Sequence, residues 1–145
     1  MKTDIRNRSD IDRLMHVFYE RALVDDKIGY IFTDVAHLDL EHHLPIIGDF
    51  WESMLFGTQV YAKHGRNPLL VHRELDEKEP LTREHFERWL EIFERTVDDL
   101  FDGELADNLK IRASAIAGRM LDFLGVSPIA GGVSDARAAN TSLPR

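Results

Sequence analysis

Histidine is the residue type through which this sequence could most readily hold a metal. The 145-residue chain has 7 histidines and no cysteine, which excludes thiolate ligands, disulfides and iron–sulfur clusters. Neutral imidazole is the commonest protein ligand for metals and suits iron. His72 is the candidate because it ends the short apolar run 69–71 and is followed by charged residues. The alternative is an ordinary structural or surface histidine.

Three further side chains could donate hydrogen bonds into an internal space. His43 leads a stripe of apolar residues and is expected to point inwards, whereas His42 is turned by about 100° around the helix. Tyr19 follows the core position Phe18, and Trp89 carries an indole N–H on the apolar face of a later helix. Each could instead be ordinary core material, with His43 bonded to a backbone carbonyl.

The other histidines fall at polar positions. Three of them are expected at the surface: His16, His37 and His85. His64 stands with Lys63 and Arg66 in a basic stretch. This stretch could meet a carboxylate of a cofactor, or it could simply face solvent.

Helices must position these residues, because the apolar residues recur at helical rather than strand spacing. Ser9 with Asp12 resembles a capping box and predicts a first helix over about residues 10–23. Gly29 interrupts the pattern, and residues 34–39 are typical of a loop or tight turns.

The second apolar stripe runs from His43 to Met54. Pro45 predicts that this helix either begins nearby or bends, since proline suits a first turn and kinks a helix interior. The segment 69–72 is too brief for a long helix and is predicted as a loop with one or two helical turns.

Thr82 is a good N-cap for the clearest helical stripe, which extends from Phe86 to Leu100. A last stripe follows, and Gly125 is predicted to end its helix. The sequence therefore predicts four main helices in one domain over residues 1–125. Residues 126–145 are rich in Ala, Gly, Ser and Pro, and we expect a flexible C-terminal tail there.

The charge and hydropathy of the chain exclude several classes of partner. With Lys+Arg 18 against Asp+Glu 26 the formal net charge is −8, which disfavours nucleic acid and anionic membranes. The sequence shows no signal-peptide core and no apolar run near the roughly 18 residues of a membrane span. We therefore expect a cytoplasmic protein.

Taken in order, these pieces resemble the truncated haemoglobins, specifically the third of that family's three groups. The matching segments are Phe18-Tyr19-Glu20, His43 with Ile47 four residues later, Ile47-Gly48-Asp49-Phe50-Trp51, Pro68-Leu69-Leu70-Val71-His72 and Trp89-Leu90. The resemblance covers roughly residues 5–125, and its motifs are specific jointly, through order, spacing and residue type. The paired-glycine motifs typical of the other two groups are absent.

The resemblance implies an all-α, two-over-two helical sandwich that holds haem b. It implies His72 as the proximal iron ligand, with Tyr19, His43 and Trp89 lining the distal side. The pocket walls are then expected to include Phe32, Ile47, Phe50 and Phe93. The haem propionates are expected near the basic stretch of Lys63, His64 and Arg66, because buried porphyrin leaves two carboxylates at the rim.

The ligands implied are oxygen, carbon monoxide and nitric oxide. Several hydrogen-bond donors imply slow oxygen release, which suits nitric oxide dioxygenation, peroxide chemistry or sensing better than oxygen delivery. A redox role would require an electron donor as partner. We further expect Tyr19 and Trp89 to hold oxygen while His43, loosened by Pro45, acts as a gate.

Two alternatives belong to other classes of protein. A haem-free helical adaptor would use the same apolar stripes only as core and its acidic surface for binding. A non-haem diiron bundle needs repeated Glu-x-x-His pairs with further inward carboxylates. No Glu-x-x-His occurs in this sequence, so the diiron bundle is disfavoured.

Overall fold

Helices make up most of the computed structural model, which describes residues 1–126. The five α-helices are α1 (Arg8–Ala22), α2 (Leu40–Phe56), α3 (Pro68–Lys78), α4 (Arg83–Leu100) and α5 (Glu104–Leu124). A π-helical turn (Ile31–Val35) lies between α1 and α2, and a 3₁₀ turn (Ala62–His64) precedes α3. The predicted tail lies, apart from Val126, outside the described residues.

The helices form two stacked pairs. α1 packs against α2, and α4 packs against α5. The two pairs meet where α1 contacts α4 and α2 contacts α5, and α3 lies against α5. This arrangement confirms the expected all-α, two-over-two sandwich.

The core lies between the two pairs and is built from the predicted apolar stripes. Leu14 and Phe18 of α1, Phe93 and Val97 of α4, and Leu109 of α5 are at most 1% exposed. Burying each such side chain favours folding by roughly 1.5–3 kcal/mol relative to exposure. The helices are therefore held mainly by this shared apolar layer.

The helix ends follow ordinary capping chemistry, with one difference from the prediction. Asn7, rather than the Ser9 pair, caps α1, because its side chain accepts a hydrogen bond from the N–H of Asp10. The predicted cap Thr82 is confirmed: its hydroxyl accepts from the N–H of His85, and the His85 ring accepts from the N–H of Thr82. Gly125 ends α5 in the left-handed conformation, as expected.

Pro45 lies inside α2, which begins five residues earlier at Leu40. The Asp39 side chain caps this helix by accepting from the N–H of His42. Because proline has no N–H, α2 lacks one backbone hydrogen bond at Pro45. The helix nevertheless continues through it to Phe56.

The prediction of four main helices is wrong, because the segment around His72 forms an 11-residue helix, α3. Asn67 caps it by accepting from the N–H of Leu69, and Pro68 occupies the first turn, where its missing N–H costs nothing. Residues 73–78, of which all but Leu75 are charged, continue this helix. A helix on the surface of the fold needs apolar residues on one face only, so the charged run does not end it.

Among residues 1–126, every helix is too short or too polar to span a membrane.

Candidate functional site

A cavity of about 350 Å³ lies between the helices. Residues of all five α-helices and of the π-helical turn line it, and most of them are aliphatic or aromatic. Its size is within the range of small-molecule sites. The predicted site residues on its wall are Tyr19, Phe32, His43, Ile47, Phe50, Arg66, His72, Trp89 and Phe93.

His72 faces this cavity from the second turn of α3. Its Nδ1 lies 2.7 Å from the carbonyl oxygen of Pro68, one helical turn earlier. A carbonyl only accepts hydrogen bonds, so Nδ1 carries the proton and Nε2 presents its lone pair. Burial, together with the positive charge of Arg66, holds the pKa of His72 below its ordinary value despite the Pro68 bond. The ring is therefore neutral and oriented, as metal ligation requires.

In the part of the chain that the structure describes, His72 has no neighbouring set of protein ligands. Within residues 1–126 no group of three or more His, Asp or Glu side chains is arranged to hold a metal ion. A metal at Nε2 would therefore bring its remaining ligands with it, as it does inside a macrocycle.

Tyr19 and His43 form a hydrogen-bonded pair on the cavity wall. Tyr19 Oη lies 2.8 Å from His43 Nε2, and Tyr19 is only 5% exposed. Burial lowers the pKa of His43 to about 4, and the positive charge of Arg66 acts in the same direction. Burial also raises the pKa of Tyr19. Both groups are thus neutral near pH 7, and each can donate or accept one hydrogen bond.

Trp89 lines the same cavity from α4. Its ring stacks on Phe93 with centroids 5.1 Å apart and forms a T-shaped pair with Phe18 at 5.9 Å. The indole N–H is the one polar group that Trp89 can offer to a ligand.

The three residues of the basic stretch have different surroundings. Arg66 lines the cavity. Lys63 and His64 are not on its wall and contact Asp49 instead, with Lys63 Nζ at 3.5 Å and His64 Nε2 at 2.7 Å from the same carboxylate oxygen. A buried carboxylate attracts cationic and hydrogen-bond-donating neighbours, and the sequence around Asp49 does not reveal that it is buried.

Two polar residues of the wall were missed by the sequence analysis, Tyr61 and His85. No pattern indicates Tyr61, which lies in a loop. His85 was expected at the surface, and the structure corrects this: its Nε2 lies 3.2 Å from Tyr30 Oη, which donates to Glu79 at 3.1 Å. The spacing Thr82-x-x-His85, which forms the capping box, was the available signal that this histidine is fixed.

Known proteins similar to this chain are truncated hemoglobins, although no protein-family model matches it. It is 32% identical over 127 residues to the group 3 truncated hemoglobin ctb of Campylobacter jejuni, covering 86% of this chain and 95% of that protein. It is 31% identical over 108 residues to the group 1 truncated hemoglobin GlbN of Synechocystis sp., covering 74% and 81%.

The fold agrees with these sequence matches. The crystal structure of the group III truncated hemoglobin from Campylobacter jejuni aligns with a TM-score of 0.73 at 31% identity, covering 86% of this chain and 95% of that one. Sequence and structure thus each match 95% of a group 3 truncated hemoglobin from Campylobacter jejuni. The chain belongs to the truncated haemoglobin family, in group 3.

Proposed function

We propose that the protein holds haem b in this cavity, with His72 Nε2 as the protein ligand of the iron, and binds oxygen and other diatomic gases beside Tyr19, His43 and Trp89. The observation that carries the proposal is the state of His72. Its Nδ1 is bonded to the Pro68 carbonyl, so a neutral imidazole presents Nε2 to an apolar cavity. Family membership supports the haem.

The residues present fit a porphyrin. Aromatic and aliphatic side chains line the cavity and suit a flat apolar macrocycle. Arg66 on its wall supplies a cation for a propionate, and the Tyr61 hydroxyl supplies a hydrogen-bond donor. Arg66 is exposed, so an ion pair there contributes only about 0–1 kcal/mol. Lys63 and His64, which contact Asp49, are secondary candidates for the propionates.

When bound, haem supplies an iron centre that takes up oxygen, carbon monoxide or nitric oxide. The polar residues on the cavity wall then set the preference among these ligands. A donor in an apolar cavity favours oxygen, which carries partial negative charge in such complexes, over nearly apolar carbon monoxide. The Trp89 N–H and the Tyr19–His43 pair provide such donors. This selectivity supports nitric oxide dioxygenation, peroxide chemistry or sensing, and the first two would need a separate electron donor.

The test is the absorption spectrum and iron ligation of the purified full-length protein. Reduced wild-type protein with carbon monoxide should give the Soret band of a haem with one axial histidine. His72→Gly should lose the iron–histidine band in resonance Raman spectra, and added imidazole should restore ligation. His16→Gly is the matched control, because His16 is a helical histidine whose side chain is 64% exposed. An unchanged iron–histidine band in His72→Gly would refute the assignment.

The same preparation tests the haem-free alternative. If the wild-type protein shows no Soret band after supplementation with haem, the protein is not a haem carrier, and the adaptor reading gains support. The wild-type spectrum thus tests haem binding, and the His72→Gly spectrum separately tests which residue binds the iron.

A further inference from the structure

Asp49 is a buried carboxylate on α2 whose two oxygens are both occupied. The residue is 7% exposed. The Arg8 guanidinium donates to Oδ1, while His64 Nε2 at 2.7 Å and Lys63 Nζ at 3.5 Å meet Oδ2. Burial alone would raise the pKa of this carboxyl, but the hydrogen bonds from His64 and Arg8 outweigh it and lower the pKa. Asp49 is therefore ionised and fully paired.

Through Arg8, Asp49 is connected to the turn of α2 that precedes it. Arg8 also donates to the Pro45 carbonyl at 3.2 Å and contacts the Glu52 carboxylate at 3.0 Å. The guanidinium can lie this close because Gly48 has no side chain: a Cβ there would be 2.6 Å from Arg8 Nη2. The Arg8 guanidinium thus holds the turn of α2 at Pro45, two residues after His43.

Through His64 and Lys63, Asp49 is connected to residues 61–67, which we term the rim segment. Two of its members, Tyr61 and Arg66, line the cavity. The 3₁₀ turn inside it contains no buried residue, so apolar burial contributes little to holding that turn. The polar contacts that join the rim segment to α2 are those with Asp49, together with the Ser53 hydroxyl, which accepts from the N–H of Tyr61 at 3.1 Å.

We propose that Asp49 is a positioning residue that fixes both the rim segment with Arg66 and the Pro45 turn beside His43. One ionised side chain thereby connects α1, α2 and the loop before α3, although it does not itself touch the cavity. The contact of Arg66 with a carboxylate of a bound cofactor rests on the proposed function. The role of Asp49 in fixing the rim segment is independent of that function.

The experiment measures amide hydrogen exchange in the rim segment of the full-length protein. The N–H groups of Ala62, His64 and Gly65 are hydrogen-bonded within or next to this segment at 3.0–3.1 Å. Asp49→Asn keeps the size of the side chain and removes its charge, and should speed exchange of these amides by about 10-fold, with α5 unchanged. Release of haem to excess apomyoglobin should accelerate by a similar factor of about 10.

Two further variants separate positioning from general destabilisation. Asp4→Asn removes a carboxylate that binds backbone N–H groups of α5 and contacts nothing on the cavity wall. It should leave the rim segment at the wild-type rate. His64→Gln keeps a side-chain N–H donor for Asp49 and should preserve protection, whereas His64→Ala should lose it. The two His64 variants carry the test should Asp49→Asn fail to fold.

If Asp49→Asn accelerates amide exchange equally in the rim segment and α5, or accelerates it in neither, the positioning role is refuted. Wild-type protein without haem would refute the proposed function while the exchange comparison still decides the role of Asp49.

Discussion

Tyr19 carries a single hydroxyl proton, so its hydrogen bond with His43 decides what it can offer to a ligand. If His43 is protonated on Nδ1, Tyr19 donates to Nε2 and turns only lone pairs towards the cavity. If His43 is protonated on Nε2, the imidazole donates and the Tyr19 proton is available to the ligand. In the structure Tyr19 Oη and His43 Nε2 lie 2.8 Å apart. The roles of holding oxygen and gating, predicted for separate residues, are thus coupled.

Removing the Tyr19 hydroxyl should weaken retention of oxygen. A hydrogen bond to a partly charged ligand in this cavity contributes roughly 1.5–3 kcal/mol, so Tyr19→Phe should speed oxygen dissociation by about 10-fold or more. Carbon monoxide dissociation should change far less. Stopped-flow rates for both ligands test this, with Tyr61→Phe as control because it removes another hydroxyl of the cavity wall. Unchanged oxygen dissociation in Tyr19→Phe would leave Trp89 as the main donor.

Removing the His43 imidazole should act mainly on ligand entry. His43→Leu takes a polar side chain from the cavity wall and frees the Tyr19 proton for the ligand. We expect faster association of oxygen and carbon monoxide, with oxygen dissociation unchanged or slower. Combining it with Tyr19→Phe should give non-additive effects, since the residues are in contact. Additive effects, or much faster oxygen dissociation in His43→Leu alone, would contradict the coupling.

Among the elements, α5 is capped by a residue from the opposite end of the chain. Its own N-cap, Gly103, provides no side chain. The Asp4 carboxylate instead accepts hydrogen bonds from the N–H groups of Leu105 and Ala106, each at 2.9 Å. Burial alone would raise the pKa of Asp4, but these backbone bonds and that of Ile5 outweigh it and lower the pKa. The negative charge also lies at the positive end of the helix dipole.

The Asp4 contact should therefore contribute stability that depends on pH. A carboxyl with a lowered folded-state pKa stabilises the fold above its ordinary value of 3.8 and loses that contribution as the pH falls through the lowered pKa. Asp4→Asn should lower the unfolding free energy at pH 7 by about 0.5–2 kcal/mol. Urea unfolding should show this difference shrinking at acid pH. Asp102→Asn, an exposed neighbour, is the control, and a pH-independent difference would count against the mechanism.

Element by element, the sequence predicts what periodicity and local capping encode. The stripes of α1, α2, α4 and α5, the Thr82 cap and the Gly125 stop could all be predicted, because each depends on neighbours within a few residues. α3 was missed because charged residues cover its outer face. The contacts of Asp49 could not be predicted, since Arg8 and His64 are brought to it only by the packing of the helices.

The site residues likewise divide into those predictable from local sequence and those that depend on the folded structure. The apolar wall residues of α2 and α4 and the orientation of His43 follow from helix faces, and the family resemblance selects His72 among the histidines. The bond from His72 to the Pro68 carbonyl depends on α3 being a helix, and so could not be predicted without it. The contacts of His85 with Tyr30 connect segments more than fifty residues apart in the chain.

At the scale of the whole molecule, the two helix pairs and the cavity are built within residues 1–126. The C-terminal end of α5 is closed locally by Gly125 and by the N–H of Val126, which donates to Leu121 at 2.9 Å. We therefore expect a chain ending at Val126 to unfold within about 2 °C of the full-length protein. Differential scanning calorimetry, with haem uptake as a second readout, tests this. A large loss of stability would show that the domain extends into residues 127–145.

The close approach of Arg8 to Gly48 has a consequence for how related sequences can vary. A methyl group at position 48 would overlap the guanidinium, which Asp12, Asp49, Glu52 and the Pro45 carbonyl hold in place. Position 48 can then take a side chain only where position 8 no longer carries the arginine. An alignment of relatives should show residues larger than glycine at position 48 together with the loss of arginine at position 8, as correlated substitution.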